Sequence, residues 1–432
     1  MTDGIHRITP KLSFNAHRLT RFSSGLAGRL AATSFIPSAL LFMEQNNNAE
    51  VIIKDVLGFN TPKIAVASMR SKGDMYDTAR LELSNTAFTF FSLLTMPHLF
   101  RKIAARSANL APEKLLKNLQ LEAPLKSISS ARYHAQKQLA HVAGSLGFMI
   151  PFSFAYVAIP YLRNYLTLKQ NGTANFEAII GLEKDAPKSS NKDLKSQLDV
   201  QMGKVKSIMA WGVSLGIASA LGLGTLSKRL PQTLSKQTLK QINTAYNWLK
   251  MGGKNADQLG NDFTVLAFWL LPAYVGYLVS ARSKNEFKEQ LLKSVNGVLW
   301  FTVFNRFLTK PAFGQVFKEL QNKLGVTLAK GPGQLAPNAS LWQQLKYKAN
   351  MNKYIPTIEA IKAIEQSHPE AFKAFMKQKV IAELSQLAIS ISMLAATPAI
   401  LNIVLTRRRY AAEQRHKQNI HQTHFAASES TP

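Results

Sequence analysis

Long apolar runs, each closed by basic residues, recur along this chain and constrain it more than any other feature. Residues 139–162 (LAHVAGSLGFMIPFSFAYVAIPYL) contain no Asp, Glu, Lys or Arg and run into Arg163. Residues 207–226 are equally free of charge and lead to Lys228 and Arg229. Residues 263–281 end at Arg282, and 384–405 end at Arg407, Arg408 and Arg409. A helix of about 20 apolar residues spans a hydrocarbon core, and cations at its ends sit among lipid headgroups. The expected fold class is therefore all-α, a polytopic transmembrane helix bundle.

Three further apolar segments are weaker. Residues 83–100 (LSNTAFTFFSLLTMPHLF) are long enough to span, 30–43 are short, and 291–308 carry Lys293, Asn296, Asn305 and Arg306. Charges at mid-bilayer are costly unless they reach an interface. Between the apolar runs, residues 112–121, 233–250 and 358–382 place apolar side chains at helical spacing among lysines, the pattern of amphipathic surface helices. Residues 186–195 and 329–340 read as loops, and no stretch alternates as a strand would. The expected organisation is a basic N-terminal tail over 1–29, a helical membrane domain over 30–405, and a basic, largely disordered C-terminal tail over 406–432. Cations outnumber acids in residues 1–29 and 101–138, whereas 44–82 are close to neutral, so both termini are expected on the cytoplasmic or matrix side. That requires an even number of crossings, and about six of the seven apolar segments should span.

A formal charge of +28, from 53 Lys plus Arg against 25 Asp plus Glu, suits either nucleic acid or anionic lipid. The cations are spread through the connections and crowd the ends of apolar runs rather than forming one patch, which favours lipid and makes nucleic acid the lesser partner. The absence of cysteine removes disulfides, thiolate metal sites and thiol nucleophiles. The first 29 residues fit either a cytoplasmic basic tail or a mitochondrial transit peptide. A bacterial inner membrane is the favoured host, with the mitochondrial inner membrane as the alternative.

An internal echo supports a duplicated two-span unit. Residues 272–282 (PAYVGYLVSAR) and 398–408 (PAILNIVLTRR) share a proline, an apolar run, a hydroxyl and an arginine. Convergence is the competing explanation, since proline late in a span followed by a basic stop is common.

Three sets of residues are singled out. Gly212, Gly216, Ala220 and Gly224 recur every four positions and form a small-residue face for close helix packing, within the chain or with a second copy. Asn85, Thr89, Ser92 and His98, with Lys293 and Asn296, are polar groups at membrane depth that either bridge helices or line a path. Arg101, Lys102, Lys228, Arg229, Arg282, Arg407, Arg408 and Arg409 are expected to touch lipid headgroups and set topology. No phosphate-cradling loop, nucleophile elbow or metal-ligand spacing occurs, so no catalytic residue, metal site or cofactor is expected. The expected role is non-enzymatic and structural, partnered by anionic lipid and by other membrane proteins or a second copy. The rivals are a small-solute transporter or channel and a soluble basic protein that binds nucleic acid.

Overall fold

The computed structural model describes residues 38–39, 42, 53–111, 128–183, 190–252, 258–259 and 262–429. The N-terminal tail, nearly all of the 30–43 segment and the 112–121 helix lie outside the described residues. Among the described residues the regular structure is helical, apart from a short hairpin that pairs Met251–Gly252 with Gln258–Leu259. The described helices are α1 Thr61–Ser68, α2 Lys72–Ser107, α3 Ile128–Asn171, α4 Phe176–Ile179, α5 Asn191–Lys228, α6 Lys236–Leu249 and α7 Asp262–Val265. They continue as α8 Leu271–Val279, α9 Lys284–Leu299, α10 Lys310–Leu324, α11 Leu341–Asn350, α12 Ile358–Lys362, α13 Pro369–Ser390 and α14 Thr397–Glu429. The described residues form two compact units, one of 53–304 with 388–429, the other of 305–387 with 38, 39 and 42.

Helix α3 is the axis of the larger unit. At 44 residues it is about 66 Å long, roughly twice a hydrocarbon core, and it packs against α2, α5, α6 and α8. Phe148, Phe152 and Tyr156 stack along α3 at 5.0–5.2 Å between ring centroids, and Phe152 and Tyr156 meet Phe88 and Trp269 at 5.8–6.3 Å. Leu93, Phe100, Ala104 and Ala220 close the same core. Helix α5 runs antiparallel to α3 on its small-residue face. A side chain at Gly212 would strike Phe154, and one at Gly216 would meet the Gly147 carbonyl at 2.6 Å. Ala220 is buried, and Gly224 abuts Ala104 and Ser107 of α2. The four small residues thus serve packing within the chain.

Prolines organise several of the helix starts. Pro lacks an N–H, so the carbonyls four and five residues back lose their helical donor. Segments 54–60, 266–270, 300–309 and 391–396 are π-helical, and each leads into a helix with proline at its second position: Pro62, Pro272, Pro311 and Pro398. Side chains take up the released carbonyls. Ser153 Oγ donates to Phe268 O at 2.9 Å, four residues before Pro272, and Asn296 Nδ2 donates to Met393 O at 2.6 Å, five before Pro398. Inside α3, Pro151 and Pro160 release the carbonyls of Gly147 and Tyr156, and these face Gly216 and Gly276. Only a residue without a side chain lets the second backbone approach so closely, in range of weak Cα–H···O contacts.

The smaller unit has its own core of Phe317, Ile358, Ile361, Phe375 and Met376. Gln321 fixes the irregular stretch that follows α10, accepting from the backbone N–H of Leu328 at 2.7 Å and of Ala329 at 2.9 Å. The apolar stripe expected on a surface helix over 358–382 is spent on this core.

Three helical stretches are long and apolar enough to cross a membrane: Ala131–Asn171, Asn191–Lys228 and Pro369–Ile420; Phe263–Val279 is a shorter apolar helix. The C-terminal region departs from the expected disorder, because α14 continues to Glu429. Its Ala, Gln, Glu and Arg content favours helix without any apolar face. Residues 191–195, read as loop, are the first turn of α5, capped by Ser190.

Candidate functional site: a buried ion network

Two copies of one short pattern build the densest polar cluster in the larger unit. Residues 70–77 read RSKGDMYD and residues 282–289 read RSKNEFKE, an Arg-Ser-Lys followed by acids at the fifth and eighth positions. Each serine is an extended N-cap. Ser71 accepts from the Asp74 N–H at 2.9 Å, and Ser283 from the Glu286 N–H at 3.2 Å. A cap of this kind starts the helix and turns the first acid towards the arginine one turn back. Arg70 Nε therefore lies 2.8 Å from Asp74 Oδ2, and Arg282 Nε lies 3.0 Å from Glu286 Oε2.

Each arginine then crosses to the second acid of the other copy. Arg282 is bidentate on Asp77, at 3.1 and 2.7 Å, and Arg70 reaches Glu289 at 2.6 and 3.4 Å. The motif thereby ties the α1–α2 turn to the α8–α9 turn by reciprocal contacts. Arg163, on α3, adds a third guanidinium at 2.8 Å from Glu286 and 3.7 Å from Asp77. Thr167 donates to Asp77 at 2.5 Å, Asn164 donates to Ser280 O at 2.8 Å, and Thr406 of α14 donates to Glu289 at 2.6 Å. Helix α4 covers the cluster. The Phe176 ring lies 5.6 Å from both the Arg70 and the Arg282 guanidinium, and Glu177 accepts from Ser283 and Asn285.

The network is dry. Side chains of Arg163, Arg282, Asp77 and Glu286 are 3, 5, 6 and 0 % exposed. Burial alone would raise the Asp77 carboxyl, but Arg282 and Arg163, with hydrogen bonds from Arg282 and Thr167, hold it below the usual carboxylate range. Glu286 is lowered in the same way, its burial outweighed by Arg163 and Arg282. Asp74 moves upward, because burial outweighs the pull of Arg70. Buried charges paired in this way form a clamp, and removing one partner would strand the others. A cavity of about 150 Å³ opens beside the clamp, lined by Arg282, Asn164, Gln197 and Gln201 among others. Among the described residues no group of three or more His, Cys, Asp or Glu side chains could hold a metal ion.

The residues singled out from sequence are placed as follows. Asn85 Nδ2 donates to Tyr277 Oη at 2.9 Å, and Thr89 pairs with Tyr156, so both bridge α2 to its neighbours. Ser92 is buried on the same face, while His98 is half-buried. Asn296 bridges to Met393, and Lys293 is half-buried, its charge acting on Asp74. Two cations expected among headgroups need correction. Arg282 belongs to the clamp, and Arg101 is 1 % exposed against Gly144, donating to Pro97 O at 3.1 Å. Tertiary packing supplies acids and carbonyls that a span-end arginine would otherwise find in lipid. Lys102, Lys228, Arg229, Arg407 and Arg408 are exposed, and Arg409 is half-buried.

Arg70, Asp74, Asp77, Glu286 and Glu289 carry no role in the sequence reading, although the repeated Arg-Ser-Lys pattern was a usable signal, and Arg163, expected as a basic stop after an apolar run, belongs to the network instead. Comparison of the chain with protein-family models, characterised proteins and solved structures finds no match.

Proposed function

We propose that this chain is a multi-span membrane protein with a structural and interaction role, its helices locked together at one end by the ion network and wrapped elsewhere by lipid. One observation carries the reading. Helix α5 buries its small-residue face on α3, while Trp211, Leu215, Leu221 and Leu226 on its other faces stay 64, 42, 46 and 53 % exposed. An apolar surface of that extent on a long helix is a liability in water and the normal condition in lipid. The clamp supports a structural role, since its charges are mutually satisfied and its reciprocal pairing joins two helical turns. A small-solute transporter is the second reading, favoured by the cavity beside Arg282, where Gln197 and Gln201 face in among apolar side chains. Asn85, Thr89 and Asn296 support it less, being engaged in helix-bridging hydrogen bonds.

Alkaline carbonate extraction of expressed protein tests the main reading. Retention in the membrane pellet is expected, and release as a monodisperse species without detergent would overturn it. A ligand-dependent rise in thermal stability that disappears in Gln201→Leu would favour the transporter.

A further inference from the structure

The end of the larger unit opposite the clamp carries a groove that the structural reading does not use. It lies between α6 and the start of the 262–279 helical stretch, with a volume of about 690 Å³. Trp248 and Phe263 form its apolar wall, in edge contact with centroids 4.8 Å apart, although they are 55 and 42 % exposed. Leu249 extends that wall, and Gln237, Lys240 and Thr244 form a polar lip. Helix α6 is held in place from behind. Ile242 and Tyr246 are buried, the Tyr246 ring meets His141 of α3 at 5.5 Å, and Gln138 donates to Asn243 at 3.2 Å. The groove is therefore presented on a fixed helix.

Its surroundings specify an occupant. Residues 200–256 contain no Asp or Glu, the next acids along the chain being Asp257 and Asp262, and Lys228, Arg229, Lys236, Lys240 and Lys250 all fall within this stretch. The groove follows directly on the basic stop of α5, whose exposed faces are apolar as far as Leu226. Apolar wall, aromatic pair and cationic lip thus occur in the order in which a phospholipid presents acyl chain, ester region and phosphate. A nucleic acid would not need the apolar wall, and an acidic soluble helix would not need that wall to continue the exposed apolar faces of α5. We infer that this groove holds one anionic glycerophospholipid, an acyl chain lying against Trp248 and Phe263 and its phosphate on Lys240. The inference rests on the membrane reading and names its lipid partner at a defined place.

The test uses full-length protein in phosphatidylcholine nanodiscs, with Trp211, Trp269, Trp300 and Trp342 each changed to Phe so that Trp248 alone reports. Phosphatidylglycerol brominated in its acyl chains should quench Trp248 about fivefold more effectively than brominated phosphatidylcholine at equal mole fraction, as one lysine at a lipid surface predicts. Lys240→Gln should bring the two lipids to near parity. Native mass spectrometry of the unaltered protein and of Lys240→Gln repeats the comparison without the tryptophan changes, and retained phosphatidylglycerol should fall in the variant. Equal quenching by the two lipids, or a preference that survives Lys240→Gln in both measurements, overturns the groove. If the same protein stays in the carbonate pellet, the membrane reading stands and the groove alone fails. Protein that leaves the pellet and binds duplex RNA through Lys240 overturns both.

Discussion

Arginine, rather than lysine, is what the clamp requires. Arg282 reaches Asp77 and Glu286 at once through one planar fork, and a lysine ammonium cannot satisfy both geometries. Removing one member of a buried pair leaves its partner's charge uncompensated, at about 3–5 kcal/mol. Asp77→Ala is expected to destabilise the protein by that amount, read as a lowered midpoint of denaturant unfolding in detergent micelles. The Asp77–Arg282 and Arg70–Glu289 pairs should each show a coupling of about 1–3 kcal/mol in double-mutant cycles; couplings near zero would make the reciprocal pairing incidental. The pH dependence has a definite sign. Asp77 and Glu286 are lowered in the folded protein, so in acid the unfolded chain takes up protons first. Their stabilisation is present above the unfolded carboxylate range, about pH 4, and is lost as pH falls through the folded values. Asp74, raised by burial, acts in the opposite sense and offsets part of the effect. Thermal unfolding midpoints should hold steady from neutral to mildly acidic pH and then fall below about pH 4, with a shallower fall in Asp77→Asn.

Helices meet here through matched absences. A proline removes an N–H, a glycine on the neighbour removes a side chain, and the freed carbonyl approaches the bare backbone. Gly216 against Gly147 O and Gly276 against Tyr156 O are two instances on opposite sides of α3. Gly216→Leu and Gly276→Leu should each cost more than about 2 kcal/mol, since the nearest atoms are backbone or, at Gly216, also the rigid Pro151 ring, and cannot swing aside. Gly222 and Gly203 have nothing within 4 Å, so alanine there should be neutral or add about 0.5–1 kcal/mol of helix stability. The same unfolding midpoints separate the two classes, and equal effects at all four positions would argue against the packing account.

At the scale of the molecule, antiparallel α2 and α3 give the larger unit two distinct ends. Asp77, Arg163 and Arg282 gather at one, while Arg101 lies in the last two turns of α2 and Lys228 and Arg229 at the end of α5. The chain has no cysteine, so single thiols can report sidedness. Cysteines replacing the exposed Lys169, beyond the clamp, and Lys228, at the basic end, should label from opposite faces of sealed vesicles with an impermeant maleimide. Labelling of both from one face would overturn the proposed crossing by α5.

Residue type and spacing alone determined the helical class, the long apolar segments, the close-packing face of α5, and the amphipathic character of α6. Each follows from a period of 3.6 or from an uninterrupted apolar run, and both are local quantities. Tertiary structure decided the fate of the charges. Arg282 ends an apolar run as Arg229 does, yet one is buried between Asp77 and Glu286 and the other is exposed. What separates them is Asp77, brought to 2.7 Å from a helix 205 residues away to join the local Glu286, where Coulombic attraction in a buried site outweighs solvation. No local pattern contains that information, although the doubled Arg-Ser-Lys motif records where it is used.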